Sequence, residues 1–354
     1  MAMFPCAGCG AAIEFAPGVA ALKCPYCGRQ QPIQAPVRPV MEHSFAALAA
    51  RPRVLANQLA AYQFRCEKCE ASTQSDALAQ RCQFCAAPLV VNPAEDLLIP
   101  PEAIVPFAFD RQVARAILGK WVKTRWFAPN RLKRVADAES MRSTYLPYWT
   151  YDSETVTAYR GERGTHYYTT ESYTDSEGRT QSRQVQHTSW RPVQGRVARR
   201  FDDVLISATN GHVPADRLGK LEPWPLHHAV AYDPSFAAGH HALRYDLEPE
   251  PGFEQARGRM AHVIWGDCRR DIGGDEQRVH SMNTQHGNVT FKHVLLPVWV
   301  GAYLYGGKTY QVLINGISRE IHGDRPYSTV KILIAIFVSI AVVMSLLTLY
   351  TYSS

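Results

Sequence analysis

The longest apolar run of the chain lies at its C-terminal end. Residues 332–349 read ILIAIFVSIAVVMSLLTL and contain neither a charged residue nor a proline. A run of this length matches the hydrocarbon thickness of a bilayer, and Tyr327 and Tyr350 at its two ends suit the membrane interfaces. We therefore predict a single transmembrane helix over 329–350, followed by a short tail over 351–354.

The charges around this helix predict its orientation. Arg319, Arg325 and Lys331 precede it, whereas the residues after it are uncharged. Because positive residues remain on the cytoplasmic side, residues 1–330 are predicted to lie inside the cell. The chain is then a single-pass protein of the inner (cytoplasmic) membrane with a cytoplasmic N-terminus. A helix so close to the C-terminus would be inserted after translation, as in tail-anchored proteins.

The central part of the chain, 93–328, alternates between helical and strand-like patterns. A helix is predicted from Asp110, as N-cap, to about Phe127, where Pro129 follows. A second helix is predicted from about Pro251 to Asp271. The chain is thus expected to contain a cytoplasmic, mixed and β-rich α+β domain.

Strand patterns fill the rest of this domain. The span 145–208 is rich in Thr, Tyr and Val, and its polar centre, THYYTTESYTDSEGRTQSRQ, predicts a long hairpin. Further strands are predicted over 279–320, with a hairpin turn at Asn315-Gly316. The tetrapeptide LPYW at 146–149 recurs as LPVW at 296–299, which hints at a duplicated helix-plus-hairpin unit.

Cysteine spacing supplies the clearest chemistry. Eight of the nine cysteines form four Cys-x-x-Cys pairs before residue 86. Two such pairs can surround one zinc ion with four thiolates, which leaves no open position for catalysis. We predict two structural Zn²⁺ ions in two zinc ribbons, over 1–34 and 63–92, joined by a helical linker over 35–62. The first ribbon would use Cys6, Cys9, Cys24 and Cys27, and the second Cys66, Cys69, Cys82 and Cys85. A thioredoxin-like context for a redox pair is missing around them.

Charge limits the partners of these ribbons. The 354 residues carry a net charge of +6, but neither ribbon is basic. A phosphate-binding surface needs clustered Lys and Arg, so a protein-binding or purely structural role is favoured for the ribbons. The strongest bias is at 111–134, where eight basic and no acidic residues are interleaved with Trp121, Trp126 and Phe127. This segment fits anionic lipid, nucleic acid, or a solvated helix face with tryptophans in the core.

No catalytic signature emerges from the remaining candidates. The sequence GAYLYGGKT at 301–309 has Ala302 where a P-loop needs glycine, so we interpret it as a β-turn. The pairs at 227–228 and 240–241 are interpreted as structural histidines, and the acidic turn 271–276 as a capped loop. Cys268 has no histidine–acid partner in its sequence context and is interpreted as a buried thiol. We predict a protein that is not an enzyme, with no catalytic residue and no small-molecule substrate.

Several motifs together resemble a known family. The Cys pairs, YLPYWTYD, WRPVQG, RRDIGGDEQRVHS, NVTFKHVLLPVW and YQVLINGISREIHGDRPYS occur in this order along nearly the whole chain. They resemble bacterial zinc-ribbon membrane proteins, which often carry names borrowed from the primosomal helicase or from transcription-factor ribbons. No helicase nucleotide site is visible in this sequence. The resemblance implies a membrane-bound adaptor that recruits a cytoplasmic membrane-stress protein, such as a phage-shock-like or band-7-like partner.

Three functions are carried forward from the sequence. The first is a non-enzymatic scaffold that holds a cytoplasmic protein partner at the inner face of the membrane. The second is a membrane-tethered nucleic-acid-binding protein that uses 111–134, which the tether makes less favoured than lipid binding there. The third is an enzyme whose site is assembled from residues distant in sequence, around Cys268, the histidine pairs or the acidic turn.

Overall fold

The computed structural model describes the greater part of the chain. The described residues are 5–19, 21–33, 38–55, 62–65, 72–75, 80–81, 88–91, 97–124, 141–174, 176, 178–209, 215–305, 308–323 and 329–353. Within them the α-helices are α1 Arg111–Lys123, α2 Ala215–Gly219, α3 Pro249–Ile272 and α4 Thr329–Ser353. Short 3₁₀ helices span Phe45–Ala50, Leu226–His228 and Pro234–Ala237.

The strands of the described residues form four sheets. They are β1 Glu14–Ala16, β2 Ala21–Lys23, β3 Gln30–Pro32, β4 His43–Ser44, β5 Val54–Leu55, β6 Tyr62–Arg65, β7 Ser72–Ser75, β8 Gln80–Arg81, β9 Pro88–Val91, β10 Leu97–Leu98, β11 Ala103–Ile104, β12 Met141–Thr174, β13 Thr180–Ser207, β14 Val230–Ala231, β15 His241–Ala242, β16 Glu276–Tyr305, β17 Lys308–Asn315 and β18 Ile321–Gly323. Strands β1–β3 form one sheet, β5 and β10 pair separately, and β6–β9 form a third sheet in the order β7-β6-β9-β8.

Three very long strands build the fourth and largest sheet. β12 pairs antiparallel with β13 on one side and with β16 on the other. Shorter strands continue the sheet next to the C-terminal half of β16, and β17 and β18 form its last hairpin. Together with the helices this is the β-rich, mixed α+β architecture that the sequence predicts.

Helices α1 and α3 cover one face of the large sheet, and the segment that contains α2 covers the other. Side chains alternate between the two faces along a strand, so Trp149 and Tyr151 point to one face and Tyr148 to the other. On the first face, the buried side of α3 packs on Trp149 and Tyr151, and α1 packs beside it on Tyr145. The opposite face of the same strands is covered by the segment that contains α2. The residues that supply this cover are Leu218, Leu221 and Trp224.

The repeated tetrapeptides lie side by side at the centre of this sheet. Leu146 of β12 pairs with Leu296 of β16. Because the two strands are antiparallel, the pairing relates the two copies by an approximate twofold axis. The short strands follow the same axis: β11 pairs in parallel with β16 at Val294 and Leu295, and β15 pairs in parallel with β12 at the equivalent Thr144 and Tyr145.

Hydrogen bonds outside the strands repeat in the same way. Val105 N donates to Leu295 O, and Leu243 N donates to Tyr145 O, both at 2.9 Å. Each donor follows the short strand of its own unit, and each acceptor belongs to the long strand of the other. The first unit is thus β11–α1–β12–β13, and the second is β15–α3–β16–β17.

Side-chain packing and sequence support this assignment. The ring centroids of Phe107 and Trp299 are 5.1 Å apart, and those of the equivalent Tyr245 and Trp149 are 5.0 Å apart. The last strand of each unit ends on nearly the same sequence, VLIS at 204–207 and VLIN at 312–315. The structure therefore contains the duplicated helix-plus-hairpin unit at which the repeated tetrapeptide hints.

The two units differ in the length of their hairpins. In the second unit, the ladder between β16 and β17 closes at Tyr305 and Lys308. In the first unit, β12 and β13 remain paired as far as Thr174 and Thr180. We call the extension over 153–201 the arm. It confirms the long hairpin that the polar sequence predicts, although the strands are much longer than the sequence patterns alone define.

Pairing changes along the arm. β16 accompanies β12 only as far as Gly164, which pairs with Glu276, so the outer part is a two-stranded ribbon. Tyr167, Tyr168 and Tyr173 lie on this outer part and are 49%, 61% and 47% exposed. The outer arm therefore presents large aromatic side chains to solvent.

The predicted helices are confirmed with small changes in their ends. Asp110 is the N-cap of α1 and accepts a hydrogen bond from Val113 N at 3.0 Å. The described part of α1 ends at Lys123, and 125–140 lie outside the described residues. α3 spans Pro249–Ile272, within two residues of the prediction. The stretch predicted as a helical linker contains the 3₁₀ helix Phe45–Ala50 between two short strands, and 56–61 lie outside the described residues.

The last hairpin turns where the sequence predicts, but with a different geometry. Asn315 N bonds to Glu320 O at 2.8 Å, so the turn is longer than two residues, and its positive φ falls on Arg319 at 69°. The Asn315 side chain accepts from two following backbone amides, which stabilises this wider turn. Gly316 is required for another reason: a Cβ there would lie 2.7 Å from the ring of Phe107.

Helix α4 follows the large sheet at one defined end. Gly323 of β18 pairs with Val312 of β17, Val312 pairs with Gly301 of β16, and Gly301 pairs with Met141. Gly323 therefore lies at the same level of the sheet as Met141, the first residue of β12. The chain therefore leaves the sheet opposite the tip of the arm. From Lys331 to Thr348, α4 is long and apolar enough to cross a membrane, and none of this stretch is buried. It is the one helix of the described residues with these properties.

Candidate metal centre

The first two Cys-x-x-Cys pairs form matching turns. Cys6 N bonds to Ala11 O at 2.7 Å and Gly10 N returns to Cys6 O at 2.8 Å. The second turn repeats this, with Cys24 N to Arg29 O at 2.9 Å and Gly28 N to Cys24 O at 3.1 Å. Gly10 and Gly28 both have φ of 72°. This is the left-handed conformation that glycine adopts without steric cost, and a glycine follows both of these pairs.

The two turns bring four sulfur atoms together. Cys6 Sγ and Cys27 Sγ are 3.5 Å apart, as are Cys9 Sγ and Cys24 Sγ. All four lie within 4.8 Å of one another. Around a tetrahedral zinc ion with Zn–S bonds of about 2.3 Å, sulfurs are about 3.8 Å apart. The four cysteines are therefore close enough to hold one metal ion, and their donor set fits a structural zinc.

The surroundings already favour ionised thiols at part of this cluster. Hydrogen bonds from the amides of Gly8 and Cys9 lower the pKa of Cys6 to about 6. The amide of Cys27 likewise lowers the pKa of Cys24. The amide of Ala11 lowers the pKa of Cys9, but the neighbouring sulfurs raise it, to about 12 in total. A bound cation would remove this difference, because metal binding requires all ligands as thiolates.

The cluster is built into the protein core on one side only. Cys6 and Cys24 are buried, whereas Cys9 and Cys27 are exposed. The buried pair belongs to the same hydrophobic cluster as helix α1 and the ring of Phe107. A metal ion held here would therefore connect the N-terminal segment to the large domain, while its outer two ligands face solvent.

Strand β1 attaches this segment to the domain. Phe15 N donates to Ala238 O at 2.9 Å, and the Phe15 ring meets the Phe236 ring edge-on at 5.5 Å. His240 completes the contact, with its ring 6.0 Å from Phe15 and stacked at 4.7 Å on Phe107. Burial lowers the pKa of His240 to about 3, so the ring is neutral and serves as an apolar surface. This agrees with the structural role predicted for the histidine pair.

The second predicted ligand set lies outside the described residues. It consists of Cys66, Cys69, Cys82 and Cys85. The strands on either side are described: β6 pairs with β7, and β8 with β9, so each Cys-x-x-Cys pair lies in the sequence between two antiparallel partners. The second ribbon and its zinc ion remain predictions.

The other predicted candidates have structural surroundings. Cys268 lies on the buried face of α3, and burial raises the pKa of its thiol. In the acidic turn, Asp271 accepts from Tyr159 Oη at 2.5 Å, and Asp275 accepts from His166 N at 2.7 Å. Gly273 ends α3 with φ of 62°. The interpretation of this turn as a capped loop is confirmed.

The remaining sequence motifs are placed as follows. GAYLYGGKT joins the end of β16 to the start of β17, so it belongs to a hairpin and not to a strand–loop–helix phosphate site. In the basic segment, Trp121 is buried in the core with α1, whereas Lys120 and Lys123 are exposed. Trp126 and Phe127 lie outside the described residues.

Two buried ionic clusters were not predicted from the sequence. Glu102, 7% exposed, accepts from Arg38, from His43 at 3.0 Å and from Met41 N at 3.3 Å. Lys292, buried in β16, pairs with Glu42 and Asp203 beside Asp152. Its ammonium group supplies the cation that these three carboxylates need. The partners are far apart in sequence and carry no common motif, so no sequence signal could have identified them.

Comparison with known proteins gives one bacterial relative. The chain is 22% identical over 236 residues to a Bacillus subtilis (strain 168) protein named Uncharacterized protein YdjG. The aligned region spans 66% of this chain and 65% of that relative, so the chain covers slightly less than two thirds of its length. No protein-family model matches the sequence, and no solved structure matches it.

Proposed function

We propose that this chain is a membrane-anchored zinc-ribbon scaffold that holds a cytoplasmic protein partner at the inner face of the cell membrane. The observation that supports it is that the arm and the exit of the chain after β18 lie at opposite ends of the large sheet. β12 carries the arm in one direction, and β18 leads towards α4 in the other. A protein with this plan would display its outer arm away from the bilayer.

The surface of the outer arm suits a protein partner. Tyrosines are enriched where proteins bind one another, because they bury a large area at a small entropic cost. Tyr167, Tyr168 and Tyr173 are about half exposed on a ribbon of two strands. The resemblance to bacterial zinc-ribbon membrane proteins adds a class of partner, a membrane-stress protein.

The metal centre would have a supporting role in this function. Cys6, Cys9, Cys24 and Cys27 would hold one zinc ion, which supplies a fixed tetrahedral cross-link between two turns. The chain's own residues then fasten this cross-link to the domain through Phe15. The zinc would keep the N-terminal segment seated on the core and would not take part in a reaction.

Affinity purification with a shortened arm tests the proposal. The variant joins Thr165 to Ser189, which face each other in the ladder, through an Asn-Gly turn and so removes Tyr167, Tyr168 and Tyr173 with the rest of the outer ribbon. The second unit already folds with a short hairpin. We expect the full-length wild-type protein, crosslinked in its native membrane, to recover one dominant protein that the shortened variant loses. Circular dichroism and bound zinc would show that the variant is folded. Recovery of the same protein by both forms, or of none by the wild type, would contradict the proposal.

A further inference from the structure

The two duplicated units differ in hairpin length, and this difference shows that the hairpin of the first unit is longer than the fold requires. Both units bury equivalent residues at the centre of the sheet. The second unit does so with a hairpin that closes at Tyr305 and Lys308. The first unit could close at the same level, yet β12 and β13 stay paired as far as Thr174 and Thr180. The inner part of the arm packs against α3, where Tyr159 and Phe201 belong to the core. The outer ribbon beyond Gly164 is therefore the part of the arm that exceeds what the core requires.

One edge of the arm is open. β13 pairs with β12 throughout its length, and no other strand of the described residues pairs with β13. An open edge presents backbone N–H and C=O groups that can bind a further strand.

Pro192 shows which residues present these groups. It pairs with Glu162 inside the ladder, and a proline is accepted there only when its missing N–H would have pointed away from the neighbouring strand. Outward groups recur at every second residue, so Gln194, Arg196, Ala198 and Arg200 also direct their backbone outwards. The backbone groups of the odd-numbered residues point towards β12. Arg199 is an example, because its carbonyl oxygen accepts a hydrogen bond from Thr155 Oγ1 at 2.9 Å.

The charge of this edge is one-sided. From Thr180 to Phe201, β13 contains five arginines and no acidic residue. Arg183 pairs with Glu171 at 3.3 Å and Arg199 with Asp267 at 2.5 Å. The other three, Arg191, Arg196 and Arg200, are exposed and have no carboxylate partner among the described residues. Arg196 and Arg200 lie on the outward-directed positions, next to the open backbone groups.

We propose that the outer edge of β13, from Gln194 to Arg200, binds an extended acidic segment of a protein partner as an additional strand. The backbone groups would supply the strand pairing, and Arg196 and Arg200 would pair with carboxylates at alternate positions of the bound segment. This inference rests on the scaffold function proposed above: it adds to the tyrosine surface of the outer arm a second contact for the same partner, next to it on β13, and names the chemistry of the segment bound there.

Peptide titration tests the edge directly. The full-length protein is placed in nanodiscs of neutral phosphatidylcholine and titrated with fluorescent eight-residue peptides of alternating Val-Glu or Val-Lys, with anisotropy as readout. We expect the Val-Glu peptide to bind at least tenfold more tightly than Val-Lys, and added salt to weaken its binding. A Val-Glu peptide with a central proline should lose at least tenfold in affinity, because it cannot pair as a strand.

Two variants distinguish edge pairing from simple charge attraction. Ala198→Pro removes one outward N–H without touching the ladder to β12, and R196E/R200E reverses the local charge. Each should weaken Val-Glu binding at least tenfold, with thermal unfolding unchanged. The control, Arg257→Glu on α3, reverses an exposed charge elsewhere and should leave binding unchanged.

Several results would overturn this inference. One is the failure of both peptides to bind, as expected if the arginines only protect the edge from aggregation. Another is Val-Glu binding that Ala198→Pro does not weaken, or that a single-stranded DNA oligomer displaces with equal affinity. Affinity purification with Ala198→Pro separates the two proposals: a partner retained by this variant would overturn the edge but keep the scaffold. A wild-type protein without any partner would overturn the scaffold, whereas the titration would still decide the edge.

Discussion

At the scale of single residues, α3 fits the sheet only because one of its positions has no side chain. A Cβ at Gly252 would lie 2.4 Å from Tyr151 Oη, whose hydroxyl donates to Pro249 O at 2.6 Å. On the same helix, Gly258 and Gly266 have nothing within 4 Å of the equivalent position. The same substitution should therefore have opposite effects at these sites.

Gly252→Ala should destabilise the protein by about 1–3 kcal/mol, because the added methyl group displaces the Tyr151 hydroxyl or the helix. Gly258→Ala is the matched control and should stabilise the protein by up to about 1 kcal/mol, since alanine is the better helix former. Urea unfolding followed by circular dichroism would measure both. Equal effects of the two changes would show that α3 is not seated on Tyr151 as described.

A second prediction concerns the buried Glu102. Burial would raise its pKa, but hydrogen bonds from His43 and Arg38 hold it below the ordinary value of 4.5. The ionised form therefore stabilises the fold at neutral pH. Glu102→Gln should cost about 2 kcal/mol at pH 7, because it leaves buried donors poorly paired. The exposed Glu254→Gln, which breaks a pair with Arg257, should cost under about 0.5 kcal/mol.

The stabilisation by Glu102 should depend on pH. A lowered pKa contributes stability above the unfolded-state value near 4.5, and this contribution disappears as the pH falls through the lower folded-state value. The difference in unfolding free energy between wild type and Glu102→Gln should therefore shrink below about pH 4.5. Urea unfolding from pH 7 to pH 3 would show it. A difference that stayed constant with pH would mean that Glu102 is not held as a carboxylate.

At the scale of elements, some features could be predicted from local sequence and others could not. Helices α1 and α3 have local signals, an Asp110 cap and an early proline, and both were located within a few residues. The arm was recognised as a hairpin from its polar turn. Its inner part, however, is also paired with residues of β16 more than a hundred positions away, which no local pattern reveals. The contact between Phe15 and Phe236 could not be predicted for the same reason, because the two residues are far apart in the sequence.

That attachment makes the first ribbon part of the domain and predicts a measurable coupling. Cys27→Ser, on the exposed side of the cluster, should reduce bound zinc by about one ion per chain. It should also lower the melting temperature of the whole domain by several degrees, because the segment that carries the four cysteines packs into the core. Metal analysis and scanning calorimetry would measure the two effects. An unchanged melting temperature would show an independent ribbon.

Phe15→Ala separates docking from metal binding. It should keep the zinc but lose about 3 kcal/mol or more of stability, because it empties a buried aromatic site. Tyr26 is an aromatic residue of the same ribbon with 83% exposure. Tyr26→Ala should keep both the zinc and the stability. Loss of zinc from both variants would mean that the aromatic residues serve the metal site and not the docking.

At the scale of the whole molecule, the duplication was visible in sequence only as fragments. Two tetrapeptides and the pair VLIS and VLIN repeat, but the partners that they pack against do not. Phe107 and Tyr245 take equivalent places with different side chains, as do Asp110 and Glu248 before their helices. The four cysteines of the metal centre were predicted because a metal fixes spacing, whereas a hydrophobic core fixes only volume and polarity.

The apolar helix makes a prediction for the complete protein. The full-length chain should remain with the membrane after carbonate extraction, whereas a chain that ends at Gly323 should become soluble and keep its zinc. Replacement of 332–349 by a leucine run of equal length is the control and should restore retention. Immunoblotting of the two fractions would decide it. Membrane retention of the shortened chain would assign the attachment to another surface, such as the basic α1.

The extent of the arm has a consequence for ionic effects at the membrane. At about 3.3 Å per residue, the stretch from Ser153 to Thr174 reaches about 70 Å. The electrical influence of an anionic lipid surface decays within a Debye length of about 8 Å at physiological salt. If α4 spans the bilayer and the arm points away from it, the tip of the arm lies many such lengths from the lipid surface. The charge of the lipids, and with it the composition of the leaflet, would then leave binding at the tip of the arm unchanged.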